Sequence, residues 1–210
     1  TLKELGRLEE AEESYTEAIA LKPDLAEAHN NLGNTLKELD RLDEAEASYT
    51  QAIAFKPNLA EAYSNLGNTL QELGRLEEAE ANYVHAITLE PNYARAYSNL
   101  GNTLQELGRL EEAEVNYKKS IMLNPNFAEA HRDLTTIKKF TLKDDQYFKM
   151  QELYLDKHIS DEHRCHINFA LAKACEDLED FEQAFIHYNE GNSLRKKKLN
   201  YDITKDISLF

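Results

Sequence analysis

Residues 60–93 read AEAYSNLGNTLQELGRLEEAEANYVHAITLEPNY, and residues 94–127 read ARAYSNLGNTLQELGRLEEAEVNYKKSIMLNPNF. The two stretches are identical at 26 of 34 positions. Residues 26–59 follow the same pattern, a partial copy occupies 1–25, and a half copy begins at Ala128. A fixed period of this length marks a chain built from stacked, self-similar units. Within a unit, Ala28, Leu32, Leu36 and Leu39 fall on one stripe of a helix. Leu42, Ala45, Tyr49, Ala52 and Ile53 form a second stripe. Asp40–Arg41 makes the turn between them, replaced by Gly74–Arg75 and Gly108–Arg109 in the later copies. Pro57, Pro91 and Pro125 stop each second helix. One helix pair cannot bury both stripes by itself, so neighbouring pairs must stack.

Numbered within each unit, the small residue at position 8 is Gly33, Gly67 and Gly101, and the alanine at position 20 is Ala45, Ala79 and Ala113. The aromatic at position 24 is Tyr49, Tyr83 and Tyr117, and the prolines above stand at position 32. This pattern resembles the tetratricopeptide-repeat family over residues 1–139, with His29, Tyr63 and Tyr97 where the family often carries Trp. The resemblance implies an all-α fold, a right-handed α-α superhelix of antiparallel helix pairs whose first helices line a concave groove.

The array is therefore expected over residues 1–139, as a partial repeat 1–25, full repeats 26–59, 60–93 and 94–127, and a half repeat 128–139. Thr1–Leu5 matches Thr35–Leu39, so the chain is expected to begin inside a repeat, with at least one helix upstream. The inner face of residues 7–21 would then be an uncapped solenoid end, which admits a homodimer. A helical insert is expected over 140–164, with a helix at about residues 144–155 and a new helix start capped by Ser160. Residues 165–198 return to a degenerate repeat, with Ala172, Ala184 and Tyr188 at its positions 8, 20 and 24, and residues 199–210 read as a tail or linker to a further domain.

Composition narrows the function. The chain of 210 residues carries 24 Lys and Arg against 39 Asp and Glu, a net charge of −15. That balance argues against nucleic acid, whose phosphates need clustered cations, and against anionic membrane surfaces. Two cysteines do not make a disulfide scaffold, and no apolar run approaches a membrane span. With 11 Tyr and 8 Phe the chain is not a disordered acidic one. A cytoplasmic protein is expected.

The candidate binding residues lie on the first helix of each unit. Positions 6 and 9 are Asn31 and Asn34, Asn65 and Asn68, Asn99 and Asn102, three apart and thus on one helix face. An amide both donates and accepts, so it can hold the backbone of an extended peptide. These positions resemble the repeats of O-linked N-acetylglucosamine transferases, whose asparagine ladder at position 6 holds peptides. The bland alternative is that the asparagines are solvated or tie one repeat to the next. Glu38, Glu72 and Glu106 at position 13, with Arg95 at position 2 and Arg132 at position 5, complete the candidate groove. The carboxylates favour a neutral to basic segment. Position 5 is otherwise Asn30, Ser64 and Ser98, so the Lys and Arg clamp used by chaperone-tail binders of this family is absent. Replacing Asn65 and Asn99 with Ala is expected to weaken peptide binding and leave melting nearly unchanged.

Other clusters carry less. His163, Cys165 and His166 sit together, but no further Cys or His pair completes a metal set, so no metal and no cofactor are expected. Cys175 falls at an apolar position and is expected in the core, and Arg195–Lys198, a run able to bind phosphate, is read instead as solvating the last helix and favouring its C-terminal dipole. The Glu9–Glu10, Glu77–Glu78 and Glu111–Glu112 pairs read as solubilising charge. There is no phosphate loop, His-Glu-x-x-His, Gly-x-Ser-x-Gly or Cys-x-x-Cys, so the chain is not expected to be an enzyme.

Residues 128–210, with Phe169–Phe181, Ala184–Phe185, Tyr188–Asn192 and Tyr201–Asp202, resemble the junction in bacterial proteins that fuse tetratricopeptide repeats to a sulfotransferase domain. The leading expectation is a non-catalytic scaffold for a protein or peptide. Its alternatives are the acceptor-presenting arm of such a sulfotransferase, whose catalytic domain is absent from this chain, and a self-association module.

Overall fold

The computed structural model describes residues 7–199. The expected helix end at Thr1–Leu5 and most of the expected tail, residues 200–210, lie outside the described residues. Among the described residues the protein is all-α, with eleven helices. Contacts divide the chain into two compact units, Thr1–Ala113 and Glu114–Phe210. The division falls inside α7 (Leu110–Leu123).

The first unit holds α1 (Leu8–Leu21), α2 (Ala26–Glu38), α3 (Leu42–Phe55), α4 (Ala60–Glu72), α5 (Leu76–Leu89) and α6 (Ala94–Glu106). Each helix packs on the next, and α2 also meets α4 as α4 meets α6. The first helices of the units thus form a row, with the second helices behind it. Tyr49 and Tyr83 are completely buried where the two layers meet. Each ring lies on a glycine of the facing helix. A Cβ built on Gly33 would stand 2.6 Å from Tyr49 Cε1, and one on Gly67 2.8 Å from Tyr83 Cε1. Both distances are inside van der Waals contact, so the missing side chain is what admits the ring.

The turns between paired helices share one form. Gly74 and Gly108 adopt φ near +75°, and so does Asp40 at +61°. Gly74 N–H donates to the Gln71 carbonyl and Arg75 N–H to the Leu70 carbonyl, both at 2.9 Å. This is the Schellman arrangement, which satisfies the last carbonyls of a helix. The arginine after each turn then ties two repeats. Arg75 Nε and Nη2 donate to the two Glu78 oxygens at 2.7 and 2.6 Å, and Nη1 donates to Glu46 at 2.7 Å. Arg41 does the same to Glu44 and Glu12, and Arg109 to Glu112 and Glu80. The hydrogen bond from arginine holds Glu44, Glu78 and Glu112 below the usual carboxylate range. One member of the later Glu–Glu pairs therefore has a structural role beyond solubility. The arginines are about 40% exposed, so each pair adds little to stability by itself.

The second unit is built differently. α8 (Ala128–Ile137), α9 (Asp145–Leu155) and α11 (Phe181–Lys198) all pack on α10 (Asp161–Asp177). Phe140, Tyr147, Met150, Ile167, Leu171 and Cys175 form its buried core. Here α9, α10 and α11 carry side-chain caps that α1–α6 and α8 lack. Asp144 accepts from Tyr147 N–H at 3.0 Å and Ser160 from His163 N–H at 3.2 Å. The α10–α11 turn repeats the Schellman form with Glu179 at φ +60° and the Asp180 N–H donating to the Cys175 carbonyl at 2.9 Å. Two histidines are interred. His187 bonds Asn168 Oδ1 through Nδ1 at 2.9 Å. His131 Nε2 bonds the Pro125 carbonyl at 2.9 Å, while its Nδ1 is buried without a hydrogen-bond partner.

Two expectations follow. A non-glycine residue in the left-handed region is strained by about 1 kcal/mol. Glu179→Gly should therefore raise the melting temperature by about 2–4 °C, read by calorimetry, and Asp40→Gly by less, because Asp tolerates that region better. Burial pulls His131 and His187 below their ordinary 6.5. Below that pH the unfolded chain binds more protons than the folded one, so stability is full above about 6.5 and is lost as pH falls toward the depressed values. Melting should occur at lower temperature at pH 5.5 than at pH 7.5, and His131→Gln should shrink the difference; equal shifts in wild type and variant would contradict this.

Candidate functional site

The repeated polar residues of the first unit sit along the α2–α4–α6 row. Asn31, Asn34, Asn65, Asn68, Asn99 and Asn102 are all half-buried there. The second asparagine of each pair is set by the core. Tyr49 OH donates to Asn34 Oδ1 at 2.8 Å, and Tyr83 OH to Asn68 Oδ1 at 2.7 Å. The first asparagine reaches back one repeat. Asn65 Nδ2 donates to Asn30 Oδ1 at 3.1 Å, and Asn99 Nδ2 to Asn68 Oδ1 at 2.7 Å. Buried Thr35, Thr69 and Thr103 donate to the Asn31, Asn65 and Asn99 carbonyls one turn earlier, at 3.0 to 3.1 Å. Asn31 has no side-chain hydrogen bond among the described residues.

The charged rim is partly consumed within the row. Lys37 Nζ lies 2.8 Å from Glu72, and Gln71 Nε2 donates to Glu106 at 2.5 Å. Lys56 holds Glu27 at 2.6 Å, and that hydrogen bond lowers the Glu27 pKa. Glu38 and Arg95 are exposed on α2 and α6. Arg132 belongs to the second unit. Its Nε donates to Asp133 at 2.8 Å and its Nη1 to His166 Nδ1 at 2.8 Å. His163 and His166 each place Nε2 4.0 Å from Glu129. Among the described residues no group of three or more His, Cys, Asp or Glu is placed to hold a metal ion, and no helix is long and apolar enough to cross a membrane. Cys175 is fully buried, with its sulfur 3.7 Å from Tyr147 OH, as its apolar position implied.

Sequence reasoning missed the arginine ties. Their signal was present, because Arg41, Arg75 and Arg109 recur at the repeat spacing with glutamates three residues later. It read the same dipeptides only as turns.

Tetratricopeptide-repeat family models match residues 58–123, and residues 1–40 and 36–74. Together they span more than half of the chain, which belongs to the tetratricopeptide-repeat family. The models end before residue 128, so the likeness of the last third to a sulfotransferase junction lies outside them. No curated protein matches the chain. Among solved structures it is similar to pilF of Pseudomonas aeruginosa, at 21% identity over 94% of this chain and 86% of that one, with a TM-score of 0.71. It is similar to YrrB, described as a TPR protein with an unusual peptide-binding site, at 19% identity over 87% and 93%, with a TM-score of 0.62. The first TPR of Spaghetti (RPAP3), bound to the HSP90 peptide SRMEEVD, is 29% identical over 53% of this chain and 89% of that one, with a TM-score of 0.53.

The inter-helix bonds change what the asparagine variants should do. Asn65→Ala and Asn99→Ala each delete a half-buried hydrogen bond, and each should lower stability by about 1 kcal/mol in urea unfolding. Asn31→Ala should leave the midpoint unchanged. Equal midpoints for all three would show that the bonds contribute nothing.

Proposed function

We propose that this protein is a non-catalytic protein-interaction scaffold that holds an extended peptide along the α2–α4–α6 row. The supporting observation is the orientation of the asparagines. Tyr49 and Tyr83 hold Asn34 and Asn68 by their carbonyls, and Asn65 and Asn99 are anchored through one amide hydrogen. Each of these amides keeps hydrogen-bonding capacity beyond the bonds it makes, and Asn31 keeps all of its own. Rigid, repeated donors and acceptors bind a peptide backbone with little ordering penalty. Asn102 continues the ladder by position, and Glu38, Glu72 and Glu106 along the same row bias the ligand toward neutral or basic sequence, with Arg95 the exception. Peptide binding by YrrB and by the Spaghetti domain lends support by kinship. The ranges 1–139 for the array, 140–164 for an insert and 165–198 for a degenerate pair belong to the same proposal.

A second reading, self-association through α1, is favoured by one observation. Leu21 is 89% exposed, and Tyr15 is half-buried where its counterparts Tyr49 and Tyr83 are wholly buried. Sedimentation at high micromolar concentration tests it, and a monomer there rejects it.

Peptides selected by the wild-type protein from an unbiased display library supply the test of the scaffold reading. Asn31→Ala should weaken the selected peptides about tenfold, the equivalent of one charge-free hydrogen bond of ~1.4 kcal/mol, without moving the melting temperature. Selected sequences rich in Asp and Glu, or affinity unaffected by Asn31→Ala, would refute use of this row.

A further inference from the structure

The second unit contains a cavity of about 780 Å3 lined by residues of α8, α10 and α11. This is the size range of sites for small organic ligands. One part of the lining is apolar, formed by Phe169, Leu194 and Leu199. Another carries cations, although the chain as a whole is at −15. Most of that charge is internally compensated. Lys197 lies 2.7 Å from Asp161, Lys198 lies 2.5 Å from Glu162, and Arg132 is held by Asp133. Arg195 lines the same cavity, and its side chain makes no ion pair or hydrogen bond among the described residues.

His166 lines the cavity as well. A guanidinium only donates, so the Arg132–His166 bond makes His166 Nδ1 the acceptor and leaves the ring proton on Nε2. The nearest carboxylate, Glu129, is 4.0 Å from that nitrogen, beyond hydrogen-bond reach. Burial and the Arg132 charge lower the His166 pKa and keep the ring neutral. The cavity thus combines one uncompensated guanidinium and an apolar wall, with the His166 ring among its lining residues.

We propose that this cavity binds a small organic monoanion with an apolar body, an alkyl or aryl carboxylate. A planar guanidinium grips a carboxylate through two parallel hydrogen bonds. A single unpaired cation matches a single negative charge. With Lys197 and Lys198 held by Asp161 and Glu162, no second unpaired cation is left among the described lining residues for the second charge of a phosphate monoester. Phe169, Leu194 and Leu199 supply the surface that removes the apolar body from water. The site lies in the second unit and needs no peptide, so it stands or falls independently of the scaffold reading.

The test is calorimetric titration of the full chain with decanoate, decanol and decyltrimethylammonium. Decanoate should bind at one site per chain, at least tenfold tighter than either of the others. Arg195→Gln should abolish that preference with an unchanged melting temperature, because Arg195 has no internal partner to lose. Leu199→Gln should weaken decanoate while keeping its preference over decanol. Absence of decanoate binding to the wild type, or equal binding to Arg195→Gln, would overturn the proposal.

Discussion

The packing of a tyrosine ring against a bare glycine backbone underlies the rest of the first unit. Tyr49 on Gly33 and Tyr83 on Gly67 set how closely paired helices approach. A ring placed that deeply must satisfy its hydroxyl, because an unbonded buried polar group is destabilising. Asn34 and Asn68 accept that proton. The same contact that closes each helix pair therefore aims an amide along the row of first helices, and the candidate binding surface is a consequence of the core.

Binding and cohesion share residues as a result. Asn65 and Asn99 spend one donor on the first helix of the preceding repeat, so the ladder is also a seam between repeats. Arg41, Arg75 and Arg109 make a second seam, closing the first turn of their own helices and reaching a glutamate one repeat back. Because the array's helix starts have no side-chain caps, this arginine–glutamate bridge supplies the local order that capping supplies elsewhere. The second unit shows the converse. Its period is degenerate, three of its helix starts are capped by Asp144, Ser160 and Asp180, and one long helix, α10, serves as a common packing surface.

Much of this was legible in the residues. The 34-residue period, the glycine and tyrosine positions and the Asp-Arg or Gly-Arg turns announced paired helices, and their observed limits follow those signals. The insert helix and the Ser160 cap were legible for a local reason, since capping is written in a few adjacent residues. The asparagines were legible as a face but not as partners. Whether Asn65 meets solvent or Asn30 depends on the separation and rotation of two helices, which no single repeat encodes. The second helix after α8 was not resolvable from its own stretch either, because α10, far along the chain, takes that packing role.

The sequence by itself determined the all-helical fold and the family, because periodicity and turn chemistry act within a few tens of residues. Tertiary structure alone decided which polar groups are spoken for. It turned glutamates that read as solubilising into arginine partners, buried His131 and His187 as neutral rings, and left Arg195 uncompensated beside an apolar wall. The physical reason is that hydrogen bonds and charge pairing operate over about 3 to 4 Å between side chains brought together by packing, a distance the linear order of residues does not contain.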